Sequence, residues 1–170
     1  MKKILLLAVV LSVSITGFGR QRLVVDNAKV VADTIFYADN MQSVANRADA
    51  SYYRLLKTQN IGLKKQEVFQ DFYMNGTLKA EGGYSFIDLG NDANTVLNGE
   101  VTTFYKNGME CWHGNYINGK RHGYFTLQMR DGGIAVVQFE NGKSKFDYFT
   151  VTHKDGTMQK RPINELKSLL

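Results

Sequence analysis

Alternating apolar and polar positions, broken at regular intervals by Asn-Gly or Asp-Gly, dominate the chain from Glu67 onward. Four stretches align with one another: EVFQDFYMNG from Glu67, GEVTTFYKNG from Gly99, GYFTLQMRDG from Gly123 and DYFTVTHKDG from Asp147. Their starts lie 32, 24 and 24 residues apart, and each reaches its Asn-Gly or Asp-Gly at the ninth and tenth positions. In the third, Phe125, Leu127 and Met129 share one face; in the fourth, Phe149, Val151 and His153 do. Asn-Gly and Asp-Gly adopt positive φ at both central positions, as the type I′ turn of a two-residue hairpin demands. Asn118-Gly119 and Asn141-Gly142 add further turns within Gly99–Lys143, the most regular stretch of the chain. Each hairpin has one apolar face that it cannot bury alone, so stacking into a meander is expected. The chain is therefore mainly β, an elongated antiparallel sheet of stacked β-hairpin repeats over residues 67–161. The longer first interval reads as a protruding loop, Ser85–Asn98.

Outside the array the pattern changes. Residues 20–66 form a lead-in with strand candidates at Leu23–Val25, Val30–Val31, Thr34–Tyr37 and Ser51–Leu56. Between them, Gln42–Ala50 contains Ala45, Ala48 and Ala50, with Ser43 available as an N-cap, which predicts a short N-terminal helix. Such a lead-in would cover the first edge of the sheet. In residues 162–170, Ile163, Leu166, Leu169 and Leu170 fall at helical spacing after Pro162, which predicts a C-terminal helical cap. The sharper alternative for that segment is a partner-binding peptide.

The beginning of the chain adds a compartment. Lys2 and Lys3 precede an apolar run from Ile4 to Val13, and small residues follow at Gly17 and Gly19. This is the layout of a secretory signal peptide over residues 1–19, cleaved near Gly19, and the run is short for a membrane span. The expectation is an exported, soluble chain, periplasmic or secreted. Loss of Lys2 and Lys3, with no acid in that segment, lowers the net charge from +5 to +3. So small a surplus, without a dense Lys/Arg face, argues against a nucleic-acid partner. Cys111 is the only cysteine, so no internal disulfide is available.

HGNYINGKRHGYFTLQMRDGG (His113–Gly133) resembles a MORN repeat, in which Gly-x-Tyr-x-Asn-Gly-Lys is followed by Gly, a strand and Asp-Gly. FYMNGTLKAEGGY (Phe72–Tyr84) and FYKNGMECWHGNYINGK (Phe104–Lys120) resemble the bacterial MORN variant of YwqK-type proteins, as does the lead-in Phe36–Leu56. The resemblance implies an extended sheet of hairpins. It also implies a non-catalytic scaffold, protein-interaction surface or lipid binder, and carries by label alone the idea of an antitoxin partner of a toxin. Glu140 stands where the earlier units have Tyr84 and Tyr116, and the fourth unit lacks the Gly-x-Tyr element.

Candidate chemistry is sparse. Cys111 and His113 are two residues apart and would share one strand face, but a nucleophile pair needs an orienting third group and an oxyanion site. Two ligands also fall short of the four that structural zinc takes. His122 and His153 carry no motif, carboxylates are scattered singly, and the glycines recur at turn spacing, not in a phosphate-loop pattern. No catalytic residue, metal site or cofactor is expected. A binding surface is: Tyr105, Trp112, Tyr116 and Tyr124 cluster near Lys120 and Arg121, residue types that dominate interfaces when exposed. Cross-strand packing is the competing role for those aromatics. The favoured function is an exported scaffold with a protein partner in the cell envelope or outside the cell. Peripheral binding to lipid or envelope polymer is the alternative, motivated by Lys106, Lys120, Arg121 and Lys143.

Overall fold

The structure, a computed structural model, describes residues 29–168. Among the described residues, twelve strands form a single sheet in which every neighbouring pair is antiparallel. In chain order these are β1 (Lys29–Tyr37), β2 (Ser43–Val44), β3 (Tyr52–Ile61), β4 (Lys64–Tyr73), β5 (Leu78–Phe86) and β6 (Val96–Phe104). They continue as β7 (Glu110–Ile117), β8 (Lys120–Gln128), β9 (Ile134–Glu140), β10 (Lys143–Ser144), β11 (Tyr148–Thr152) and β12 (Met158–Pro162). Along the sheet the order is β12-β11-β9-β8-β7-β6-β5-β4-β3-β1-β2, with the short β10 paired to β9. Each aligned stretch contributes the first strand and turn of a hairpin: β4–β5, β6–β7, β8–β9 and β11–β12.

Two kinds of turn form at the Asn-Gly and Asp-Gly sites, and they correct the expectation of uniform type I′ geometry. Asn118-Gly119 and Asn141-Gly142 have both central residues at positive φ (49 and 76, 52 and 85), as a two-residue I′ turn requires. The turns within the four hairpins hold only the glycine at positive φ. In the second, Gly108 N–H donates to Tyr105 O at 2.8 Å and Tyr105 N–H to Met109 O at 2.8 Å. Asn107 Oδ1 accepts from Met109 N at 3.1 Å. The side chain mimics a turn carbonyl and keeps Asn107 at negative φ, giving a type I turn closed by a left-handed glycine. Asn75, Asp131 and Asp155 repeat that bond, to Thr77, Gly133 and Thr157. Gly108→Val and Gly132→Val should each cost about 1–3 kcal/mol by forcing a branched residue into this region. At Gly132 the nearest atom to an added Cβ is Lys154 Cδ at 3.6 Å, so conformation alone is tested. Thermal unfolding measures the loss, and parent-like stability in either variant would contradict this turn geometry.

One face of the sheet is the core. Phe125, Leu127, Ala135, Val137, Phe139, Phe149 and Val151 form its C-terminal cluster, and Phe69, Ala80 and Val101 a second cluster. The alternation expected for the third and fourth units is realised, since Phe125, Leu127, Phe149 and Val151 are all buried.

Three expected elements differ. Gln42–Ala50 is not a helix: Met41 reverses the chain at φ 67, Ser43–Val44 pairs with Phe36 and Tyr37, and Arg47–Asp49 makes one 3₁₀ turn. A nine-residue helix is marginal alone, and here tertiary pairing claims its backbone groups. The C-terminal helical cap is also absent. Ile163–Ser168 is a 3₁₀ stretch, in which positions three apart eclipse, so Ile163 and Leu166 both reach the core. Finally, the loop after β5 does not protrude. It folds back so that Ile87 packs on the second core cluster, while Ser43 N donates to Gly90 O and Asp92 N to Met41 O, both at 2.8 Å. Of the lead-in strands, Val30–Val31 and Thr34–Tyr37 merge in β1, with a register shift between Val31 and Ile35. Leu23–Val25, the signal-peptide segment 1–19, and Leu169 and Leu170 lie outside the described residues.

Candidate partner-binding surface

The four hairpin turns lie along one edge of the sheet, and their first two positions build a stack. Position one is Tyr73, Tyr105, Met129 or His153; position two is Met74, Lys106, Arg130 or Lys154. Tyr73 Oη donates to Phe104 O at 2.9 Å, and Tyr105 Oη to Gln128 O at 2.8 Å, so each tyrosine is pinned to the following hairpin. In return, the cation of that hairpin lies over the ring. Lys106 Nζ is 5.8 Å from the Tyr73 centroid, and Arg130 Cζ is 5.3 Å from that of Tyr105. Tyr73, Tyr105, Lys106, Asn107, Met109 and Arg130 line an open cleft of about 590 Å³. Burial pushes the Tyr105 phenol up to about 12, with the Cys111 thiol beside it adding and Arg130 opposing. Tyr73 is raised by burial in the same way, so both rings are neutral donors.

The residues that the sequence singled out divide among three places. Tyr105 belongs to this edge. Trp112, Tyr116 and Arg121 instead meet on the core face around Phe125: the Trp112 and Tyr116 rings sit edge-on to it at 5.7 and 5.3 Å. Arg121 lies over Trp112, Phe125 and Phe139 at 5.5, 5.9 and 5.2 Å. Tyr124 points from the opposite face and is 67% exposed. Lys120 is exposed beside Gly142. The cluster read from the sequence is therefore not one surface.

Cys111 and His113 are not brought together as a pair. Thr103 pairs with Trp112 and Phe104 with Glu110, which leaves Cys111 as the extra residue of a β-bulge. It packs against the core cluster beside Tyr105, whereas His113 Nδ1 lies 3.0 Å from Thr102 Oγ1 in the row opposite Trp112. Among the described residues, no group of three or more His, Cys, Asp or Glu is placed to hold a metal ion. No described helix is long and apolar enough to cross a membrane.

Compared with known protein-family profiles and with curated proteins, the chain has no match.

The most polar buried cluster was hidden in the sequence. Arg54 forks onto Asp71, with Nε–Oδ1 at 2.7 Å and Nη2–Oδ2 at 2.8 Å, and its Nη1 reaches Asp92 Oδ1 at 2.5 Å. Tyr52 Oη donates to Asp92 Oδ2 at 2.7 Å and Thr95 Oγ1 to Asp92 Oδ1 at 2.8 Å. Burial acts to raise Asp92, but Arg54, the Tyr52 hydroxyl and Thr95 together hold it below the usual carboxylate range. Burial pushes Asp71 up, against the opposing pull of the Arg54 fork. Among the described residues no buried side-chain nitrogen or oxygen lacks a hydrogen-bond partner, so the cluster acts as a tether for the folded-back loop.

Proposed function

We propose that this chain is an exported, non-catalytic repeat scaffold of the MORN-like, YwqK type, which binds a protein partner along its turn edge. The observation that carries this reading is the repeated stack of cation over tyrosine bordering an open cleft. Each tyrosine is held by a hydroxyl–carbonyl bond between successive hairpins, so the rings are fixed before any partner arrives. Tyr and Arg are also the residue types that anchor interfaces. Export rests on the Lys2–Gly19 segment, and the scaffold role on the stacking of like units.

The test is capture from envelope extract with the purified chain as bait, beside its Arg130→Ala/Lys106→Ala variant. A partner retained by the parent and depleted from the variant is expected. Capture of nothing, or equal capture by both, would count against this edge as the interface.

A further inference from the structure

Resting on that reading, the cleft also specifies the chemistry of its occupant. The ion pairs among the described residues use Arg54 and Arg161, not Lys106 or Arg130. Both cleft cations are exposed. The turn that carries Arg130 also carries Asp131, whose Oδ1 is turned to its own backbone and accepts from Gly133 N at 2.9 Å; Asp155, one hairpin further on, is bonded likewise to Thr157. The corresponding position in the turn that carries Lys106 is the uncharged Asn107. An anionic group is therefore the complement of the Lys106–Arg130 gap, and the apolar lining of Met109 and two tyrosines suits a chain with apolar residues between its charges.

Spacing narrows this further. The turns carrying Lys106 and Arg130 belong to consecutive hairpins, two strands apart in the sheet. Strands lie about 4.8 Å apart, which sets the pitch of the edge at roughly 9.6 Å. A β-extended peptide repeats its side-chain direction every ~6.7 Å and would fall out of step. A polyproline II helix turns once in three residues with a rise of ~3.1 Å, so positions i and i+3 share a side at about 9.3 Å. That conformation also enters aromatic-lined grooves with little ordering cost.

We infer that the Tyr73–Tyr105 cleft binds an acidic peptide segment in the polyproline II conformation, with carboxylates three residues apart meeting Lys106 and Arg130. The experiment is fluorescence anisotropy with two labelled peptides of identical composition. One repeats Pro-Pro-Glu, and the other places its glutamates next to one another. The in-register peptide should bind about tenfold more tightly, and Lys106→Ala and Arg130→Ala should each weaken it about threefold to fivefold at low salt. Equal affinity for the two peptides, or indifference to both substitutions, would overturn the inference. So would polygalacturonate binding that depends on Arg130 when neither peptide binds, which would give the cleft to an acidic polysaccharide. If neither peptide binds while envelope capture still depends on Lys106 and Arg130, this inference fails and the scaffold reading stands. If capture fails as well, both fall.

Discussion

Arg54→Met is expected to destabilise the protein by about 3–5 kcal/mol near neutral pH, because it strands buried carboxylates without their cation. The Arg54 and Asp71 side chains are 2% and 3% exposed, and Asp92 is 14% exposed. Asp92 can recover solvent if the 87–95 loop lifts; Asp71, within β4 and paired on both sides, cannot. Stranded in this way, Asp71 takes a proton more readily than it does in the unfolded chain, whose aspartates titrate near ~3.9. A carboxyl whose folded pKa is raised loses stability as pH climbs from its unfolded pKa towards its folded one. The deficit relative to the parent should therefore be smaller at about pH 4.5 than at about pH 7.5, as urea denaturation at the two conditions would reveal. Parental Asp92, held low, acts in the same direction, since its stabilisation is present above the unfolded pKa and lost in acid. Arg54→Lys should restore only part of the loss, because an ammonium cannot fork onto both Asp71 oxygens. A deficit that did not change with pH would assign Arg54 a packing role, over the Phe69 ring at 4.5 Å, in place of an electrostatic one.

That cluster marks the limit of what the sequence could disclose. The hairpins were legible because their signals are local: Asn-Gly or Asp-Gly at a fixed offset, and alternation that places Phe125, Leu127, Phe149 and Val151 on one face. The fold-back of the 87–95 loop has no such signal. Arg54 and Asp92 are 38 positions apart, and neither stands in a motif. The helix expected at Gln42–Ala50 failed for the same reason, since its alanines lost to pairing with β1 and to the Ser43–Gly90 bond.

The candidate surface was half legible. Tyr105 and Lys106 were visible as aromatic and basic turn residues, but Tyr73 and Arg130 emerge only when the turns themselves are aligned. Position one then reads Tyr, Tyr, Met, His, and position two Met, Lys, Arg, Lys. Trp112, Tyr116 and Arg121 misled because proximity in sequence says nothing about which face a residue takes after a bulge. The register slips between Thr103 and Phe104 and again between His113 and Asn115, and either slip reassigns neighbours.

Phe125→Ala should cost about 3–5 kcal/mol, and its effect should be tightly coupled to that of Gly114→Ala. Phe125 is 2% exposed and touches the rings of Trp112, Tyr116 and Phe139, so removing it empties the centre of the C-terminal core. Its ring lies directly on Gly114, where an added Cβ would overlap three ring carbons. Glycine is required there by close approach of the ring, since Gly114 does not have positive φ. Alone, Gly114→Ala must displace the ring from a packed cluster, which should cost about 1–3 kcal/mol. In the Phe125→Ala background the obstacle is gone, and alanine fills part of the void while relieving the entropic penalty of glycine in a strand. The second substitution should then be neutral or stabilising, leaving a coupling well above ~0.5 kcal/mol. Chemical denaturation of the four members of the cycle measures it. Additive losses would mean that Gly114 is needed for its backbone alone, and the stacking of ring on glycine would lose its explanatory role in this core.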